Sequence, residues 1–240
     1  MSQHSQDAVV VATGAALEAR GISYAFGETP ALRGANLSVN SGEFVAIMGP
    51  SGSGKSTLLH CIAGILVPQS GEIWLDGARV DDLGEQERSE LRRDHFGFVF
   101  QFGQLVPELT AEENVALPLL LKGVGRHEAL AAARAWFERL DLDGVGRHRA
   151  GEMSGGQAQR VALARALVAN PEILFADEPT GSLDSVNGVR VMELLASAVR
   201  DEGTTVVLVT HDPRVAAYAD REVIVRDGTV FDSSDSDDDA

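Results

Sequence analysis

The chain has 240 residues, of which 44% are apolar and 23% are charged, and its formal net charge is −16. Such a composition is typical of a globular domain, and the acidic balance argues against a protein that binds the phosphate backbone of nucleic acids. The one cysteine, Cys61, excludes an intrachain disulfide framework. Because Cys61 lies on an apolar helical face, we expect a buried core thiol.

The two ends of the sequence differ from the rest. Residues 1–14 lack the basic segment and the apolar run of a signal peptide, and residues 232–240 contain five aspartates. We expect both ends to be disordered and one domain to occupy residues 15–231. The longest apolar run, 115–121, is far shorter than the about 20 residues of a membrane-spanning helix, so we expect no span.

Three short segments with alternating hydrophobicity lie in the first third of the chain, at 17–24, 35–39 and 72–75. Turn residues such as Gly27 and Gly77 lie beside them. Alternation of this kind indicates strands with one covered face, so we predict an antiparallel sheet that flanks the core.

Five continuous apolar runs predict strands that are covered on both faces. They lie at 44–48, 96–100, 173–176, 206–209 and 223–225. Helical stretches lie between them, at 55–63, 128–140, 155–169 and 187–200. This order predicts an α/β fold with a doubly wound parallel sheet. The largely helical stretch at about 102–161 predicts an inserted helical subdomain.

A glycine-rich loop directly follows the strand predicted at 44–48. Its residues are Gly49, Pro50, Ser51, Gly52, Ser53, Gly54, Lys55, Ser56 and Thr57, which match the pattern G-x-x-x-x-G-K-[ST]. Glycines let several backbone N–H groups point at one phosphate, and the helix N-terminus adds its positive dipole end. We predict that the loop binds a nucleotide, with Lys55 on the β- and γ-phosphates and the Ser56 hydroxyl on Mg²⁺.

Two carboxylates end the strand predicted at 173–176. Asp177 suits Mg²⁺, which keeps much of its hydration shell and binds such groups largely through water. Glu178 comes next and can orient or deprotonate the water that attacks the γ-phosphate. This pair predicts hydrolysis of the bound nucleotide.

A second anion site precedes the helix predicted at 155–169. Ser154 is a natural N-cap, and Gly155 and Gly156 leave backbone N–H groups open before Gln157. Because this segment lies in the helical insertion, one chain cannot easily bring it to the phosphate that its own Lys55 binds.

These motifs, followed by Ser182-Leu183-Asp184 and then His211, resemble in residues and in order the nucleotide-binding domains of ABC (ATP-binding cassette) proteins. The resemblance covers residues 17–231 and implies a P-loop NTPase core of the RecA-like type. The chain departs from the family at Met153, where Leu is usual, and at Ala158, where a polar residue often stands.

The resemblance implies that two such domains associate head to tail, with each ATP between one phosphate loop and the signature of the partner. Ser154, Gly155, Gly156 and Gln157 would then bind the ATP held by the other copy. Asp184 would belong to the loop that couples the two sites.

The resemblance also implies roles for three further side chains. Gln101 would contact Mg²⁺ or the attacking water and report occupancy to a membrane partner. His211 would contact the γ-phosphate and Glu178. Tyr24 would stack on adenine, a contact worth about 1–3 kcal/mol by analogy with base–aromatic stacking, although Phe26 stands two residues away.

Segments 100–102, 105–110 and 113–119 resemble a narrower branch. It comprises the ATPases of macrolide-export, lipoprotein-release and antimicrobial-peptide resistance systems and the related cell-division ATPase. This implies an ATPase that energises separate membrane permease subunits, for export, extraction or mechanotransmission. It would sit at the cytoplasmic face of the membrane. The spacing from Thr110 to Glu113 is also that of a helix capping box.

Other functions fit parts of the sequence. An importer ATPase carries the same motifs. A soluble ABC ATPase that acts on nucleic acid or ribosomes usually has a long coiled-coil insertion or a second cassette, and this sequence shows neither. A small-molecule kinase shares the phosphate loop but leaves His211 and the signature unexplained.

Overall fold

The structure is a computed structural model that describes residues 15–101, 103–181 and 183–232. The predictions of disorder for residues 1–14 and 233–240 fall outside these ranges, as do Phe102 and Ser182. The division of the chain into a core and subdomains stays a prediction.

A six-stranded sheet forms the centre of the described part. In spatial order its strands are β10 (Thr229–Asp232), β9 (Arg221–Arg226), β3 (Phe44–Met48), β8 (Thr205–Val209), β7 (Ile173–Asp177) and β6 (Phe96–Phe100). Neighbouring strands are parallel except β10 and β9, which form a hairpin. The predicted parallel core is confirmed. Asp232, assigned to the acidic tail from the sequence, is instead the last residue of β10.

A second sheet flanks this core. It is antiparallel, with the spatial order β2 (Thr29–Asn40), β1 (Ala15–Phe26), β4 (Ser70–Leu75) and β5 (Ala78–Arg79). β1 and β2 extend beyond the predicted segments because they pair up to their connecting turn, where Phe26 lies opposite Thr29. The predicted antiparallel sheet is therefore present, with longer strands.

Helices connect the strands of the core. They are α1 (Lys55–Ile62), α2 (Glu85–His95), α3 (Ala111–Leu121), α4 (Arg126–Arg139), α5 (Gly155–Leu167), α6 (Ser185–Glu202) and α7 (Pro213–Ala216). None of these described helices is long and apolar enough to span a bilayer. The sequence does not predict α2, because no residue of this helix is buried. Arg88 and Arg92 bind Glu85 along its exposed surface instead.

Polar side chains cap the helices that follow functional loops. Thr110 accepts a hydrogen bond from the backbone N–H of Glu113 at the start of α3, in the capping box that the sequence predicts. Ser154 caps α5 in the same way, and Asp184 caps α6. Since such caps satisfy N–H groups that a helix leaves open, each helix begins at a defined residue.

Successive side chains of β3 enter two different cores. Phe44 and Ala46 belong to a core that includes residues of α3, α4, α5 and α6. Val45 and Ile47 belong to a second core, formed with α1 and the antiparallel sheet. Cys61 lies in this second core, where burial raises the pKa of its thiol to about 12. Both faces of the central sheet are covered, as its continuous apolar strands require.

Helix α5 joins the helical stretch to the core. It packs on α3 and also on β6. The subdomain boundary expected near residue 161 thus falls inside one continuous helix, which runs on to Leu167. At Gly97 of β6 the approach is so close that a Cβ atom would lie 2.5 Å from the carbonyl oxygen of Ala166.

Replacement of Gly97 by alanine tests this close packing. The added methyl group would also lie 2.8 Å from Cδ1 of Leu174, so the helix or the sheet must move. We expect a loss of about 1–3 kcal/mol in the free energy of unfolding, and a melting temperature lower by about 2–4 °C for each kcal/mol. The control is Gly151→Ala, since no atom lies within 4 Å of a Cβ at that position. Equal melting temperatures for the two variants would contradict the proposed contact.

Candidate active site

The carboxyl ends of three parallel strands meet at one edge of the central sheet. Val209 of β8 is in register with both Ile47 of β3 and Asp177 of β7. Beyond the strands, the backbone N–H of Glu178 donates to the carbonyl of Val209 at 2.9 Å, and that of Thr210 donates to Ile47 at 3.1 Å. These bonds fix the segments that carry the predicted catalytic groups relative to one another.

The phosphate loop has a backbone that only glycine permits at two points. Gly49 has φ 143° and Gly54 has φ 108°. A Cβ atom on Gly49 would lie 2.1 Å from the carbonyl oxygen of Val225, and one on Gly54 would lie 2.4 Å from that of Ala31. The loop is therefore held against β9 and β2 at positions where no side chain fits.

Two polar groups of this loop are directed at its interior. Lys55 is buried, and its Nζ donates to the carbonyl of Pro50 at 2.9 Å. The hydroxyl oxygen of Ser53 is also buried, without a hydrogen-bond partner among the described residues. Because buried polar groups normally have partners, a cradle with such a free hydroxyl, a lysine and a helix N-terminus suits an anion.

Ser56 and Asp177 form the candidate metal site. The Ser56 hydroxyl donates to Oδ1 of Asp177 at 3.2 Å. Burial raises the pKa of Asp177, and the hydrogen bond from Ser56 opposes this rise. Hydroxyl and carboxylate oxygens are hard ligands of the kind that Mg²⁺ takes. The described residues contain no cluster of three or more His, Cys, Asp or Glu that could hold a metal.

Glu178 and His211 lie side by side. Nδ1 of His211 is 2.6 Å from Oε1 of Glu178, and the histidine side chain is 70% exposed while the glutamate is 18% exposed. Glu178 has φ 48°, a left-handed backbone that costs a non-glycine residue about 1–3 kcal/mol. Strain of this kind is retained where the surrounding structure holds it, and here the N–H bond to Val209 does so. The carboxylate is thereby aimed out of the strand end.

The predicted catalytic residues line one cavity of about 500 Å³. Its walls include Lys55, Ser56, Gln101, Glu178 and His211 together with Phe26, Thr29, Pro30, Ala31, Ser51, Gly52, Gly54, Thr57 and Val209. Gln101 reaches the cavity over Gly181, where a Cβ atom would lie 2.8 Å from its Nε2. Gly181 donates its backbone N–H to the carbonyl of Glu178, so Gln101 is anchored beside the turn that follows the carboxylates.

Phe26, and not Tyr24, faces this cavity. The two rings are 5.0 Å apart in an edge-to-face arrangement. Phe26 is 57% exposed and lines the cavity, whereas Tyr24 is partly buried against the core of the antiparallel sheet. The sequence predicts Tyr24 as the aromatic beside the nucleotide, whereas the structure places Phe26 on the cavity wall. In the sequence, Phe26 lies next to the turn between β1 and β2, where the chain bends towards the phosphate loop. This position could have identified Phe26.

The signature segment lies outside the cavity. None of Ser154–Gln157 is among its described lining residues. The start of α5 packs instead on α6, where a Cβ atom on Gly156 would lie 2.9 Å from Cγ of Asn187. The Asn187 amide donates to Asp184 at 2.6 Å, and hydrogen bonds from Asn187 hold the pKa of Asp184 below its usual value. Signature and Asp184 therefore form a second polar surface, joined by Asn187, which the sequence did not single out.

Comparison with protein families identifies the family of this chain. Residues 32–181 match the model of a family described as "ABC transporter". The chain belongs to the ABC transporter family. The predicted fold, the ATPase activity coupled to transport and the work with membrane permease subunits follow from this membership and are confirmed.

Several relatives in this family are similar over most of their length. The lipoprotein-releasing system ATP-binding protein LolD of Psychrobacter arcticus is 47% identical over 83% of this chain and 89% of its own. The uncharacterized ABC transporter ATP-binding protein MJ0796 of Methanocaldococcus jannaschii is 46% identical over 83% of this chain and 87% of its own. The export ATP-binding/permease protein SyfD of Pseudomonas syringae is 47% identical, but this chain spans 34% of its length.

Solved ABC cassettes share the fold. A dimeric structure of MJ0796 superposes with a TM-score of 0.84 at 43% identity, covering 89% of this chain and 96% of that one. Another structure of the same protein, with a TM-score of 0.83, is a dimer bound to ADP and Pi. CbiO1 of Clostridium perfringens, part of a CbiONQ transporter complex, has a TM-score of 0.80 at 30% identity.

The buried carboxylate of Asp177 predicts a gain in stability on its neutralisation. Because burial raises its pKa in the folded protein, the ionised form costs stability at pH values above the folded pKa, and this cost disappears as the pH falls below it. We expect Asp177→Asn to melt at a higher temperature than the parent at pH 8, because the amide carries no charge whose desolvation opposes folding.

The measurement is thermal unfolding in the presence of EDTA and without nucleotide, from pH 8 down to the ordinary range of an aspartate pKa, about pH 4. The difference between variant and parent should shrink towards the acidic end. Asp143→Asn, an exposed aspartate on the helical stretch, serves as the control for loss of a charge. A variant that melts below the parent at pH 8 would contradict this account of Asp177.

Proposed function

We propose that this chain hydrolyses ATP at a site shared by two copies. One observation carries the proposal: Lys55, Ser56, Gln101, Glu178 and His211 line one cavity, while the described signature residues lie on a separate surface. A second copy placed head to tail would bring its Ser154–Gln157 to the mouth of this cavity. The dimeric cassettes among the solved relatives support this arrangement.

In this proposal the phosphate loop holds the triphosphate. Backbone N–H groups from Ser51 to Thr57 surround the β-phosphate, and Lys55 leaves the Pro50 carbonyl to bind the β- and γ-phosphates. Ser56, Asp177 and Gln101 would hold Mg²⁺, which neutralises charge on the phosphates when it is bound. Phe26 would stack on the adenine, since it is the exposed aromatic on the cavity wall.

The chemical step is assigned to Glu178. Its carboxylate is aimed from the strand end into the cavity and would take a proton from the attacking water. His211, at 2.6 Å, orients that carboxylate and would donate its free ring edge to the γ-phosphate. Gln101 would fix the water or the metal from its place beside the turn that follows the carboxylates. These groups come from three different segments, so the step depends on their relative placement.

The work done by this hydrolysis is proposed from the relatives. Identity of 46–47% to LolD proteins over 83–90% of this chain supports a subunit that acts in export or lipoprotein release at the cytoplasmic face of a membrane. Attachment would be peripheral, through the permease subunits. An importer ATPase is the second candidate, since it carries the same motifs. The net charge of −16 argues against action on nucleic acid.

Glu178→Gln separates binding from chemistry. The amide keeps the size and the hydrogen bonding of the side chain but cannot accept the proton, so we expect turnover to fall by about 10²–10⁴-fold while ATP still binds. If the site is shared, the variant should form a stable dimer when ATP is added. Size-exclusion chromatography with light scattering will detect this dimer.

The matched second variant is Glu178→Gln combined with Ser154→Asp. Aspartate is an equally good helix N-cap, so α5 keeps its start, but the added charge would face the phosphates of the other copy. We expect ATP binding by the monomer without dimer formation. Persistence of the ATP-driven dimer in the double variant would contradict the shared site, and near-normal turnover in Glu178→Gln would contradict the role of Glu178.

The assignment of the adenine contact to Phe26 is tested by paired substitutions. Phe26→Leu removes the ring at the cavity wall, and we expect the Kd for ATP to rise by about tenfold, which corresponds to about 1.4 kcal/mol of lost stacking. Tyr24→Leu should change the Kd by less than about twofold. Titration with a fluorescent ATP analogue measures both. A larger effect at Tyr24 than at Phe26 would restore the assignment made from the sequence.

A further inference from the structure

Helix α5 holds the backbone of the loop that carries Gln101. The side-chain amide of Gln159 donates from Nε2 to the carbonyl of Phe100 at 3.0 Å, on one side of Gln101. On the other side, Arg165 donates from Nη2 to the carbonyl of Gly103 at 2.8 Å and from Nη1 to that of Gln104 at 2.9 Å. Three loop carbonyls flanking the catalytic glutamine are thus bound by two side chains of one helix.

The loop has an unusual backbone where Arg165 binds it. Gly103 has φ 67° and Gln104 has φ 44°, so two consecutive residues are left-handed. Gly103 is buried on α5, where a Cβ atom would lie 3.3 Å from the carbonyl oxygen of Ala158. Such a conformation is costly for Gln104 and persists only when surrounding contacts hold it. The planar fork of Arg165 provides two of these contacts.

Both binding side chains are costly to bury. Gln159 is 1% exposed. Burial lowers the pKa of Arg165, which means that desolvation of the guanidinium is the dominant effect on its charge. A methionine or leucine would fill the same space on α5 without this cost. The hydrogen bonds from the Gln159 amide and the Arg165 guanidinium to the loop carbonyls offset this cost of burial.

We propose that Gln159 and Arg165 are positioning residues for ATP hydrolysis, which act by fixing the carbonyls of Phe100, Gly103 and Gln104 on either side of Gln101 and with them the Gln101 side chain. The inference rests on the proposed role of Gln101. It extends that role to α5, whose N-terminus is the signature. One helix then carries at its start the residues that meet the ATP of the other copy, and further along the residues that place this copy's own Gln101.

The test uses Gln159→Met and Arg165→Met in the full chain, each alone and each combined with Gln101→Ala. A displaced Gln101 should lower kcat by about tenfold, less than the about 100-fold that a 1 Å displacement of a catalytic group can cost, and leave KM for ATP within about twofold. In the Gln101→Ala background neither substitution should lower kcat further, because residues that act through one group are not additive.

Conservative variants keep the test independent of folding. Arg165→Lys retains the charge and one donor, and it should recover part of the kcat lost in Arg165→Met. Gln159→Glu has the same size but presents an oxygen to the Phe100 carbonyl, and it should behave like Gln159→Met. Arg134→Met is the control, since Arg134 binds Glu112 on the surface of the helical stretch. It should leave kcat unchanged.

The outcomes separate the two proposals. If Gln101→Ala lowers kcat and the α5 substitutions lower it again by the same factor, the positioning role is overturned and the role of Gln101 stands. If Gln101→Ala retains full kcat, the proposed function of Gln101 fails, and the inference fails with it. Full kcat in Arg165→Met, with an unchanged melting temperature, would also overturn the role of the fork.

Discussion

Parallel pairing of β3, β8 and β7 is the constraint on which the rest of the molecule depends. Strands that run in one direction end at one edge, and their register places Ile47, Val209 and Asp177 at the same level. Asp177 ends β7 and Glu178 follows it, His211 lies two residues after β8, and the phosphate loop leads from β3 to Lys55 at the start of α1. Apolar burial on both faces of the sheet stabilises the fold, and it offsets the cost of the strained and buried polar groups at this edge.

Helix α5 links the signature segment to the edge of the central sheet that lines the cavity. Helix α5 starts with a cap at Ser154, contacts α6 through Gly156 and ends against β6 beside Gly97. A helix is stiff over such a length, so its two ends move together. Helix α5 therefore carries both a surface for another copy and a support for the local catalytic loop. This arrangement links binding with hydrolysis.

Motifs with local geometry were predictable from the sequence. Gly49 to Thr57 needs only a strand, glycines and a helix start, and the Thr110 capping box needs only a three-residue spacing. Tyr24 and Phe26 are two residues apart on β1, and regular alternation would give both the same face. The structure has a register shift between Tyr24 and Ala25, which no local sequence pattern predicts. Helix α2 was missed because salt bridges along its exposed surface, and not an apolar stripe, support it. Contacts such as Gly156 with Asn187 join segments distant in sequence, where no local pattern exists.

Burial of Cys61 has a practical consequence for measuring helix movements during the catalytic cycle. A thiol with a pKa of about 12, enclosed in the core, has almost no thiolate at neutral pH and stays inert to maleimides and iodoacetamides while the protein is folded. Cysteines introduced at exposed positions of α4 and α6 could then carry fluorophores or spin labels without removal of the native one. The wild-type background would thus serve directly for distance measurements between helices through the catalytic cycle.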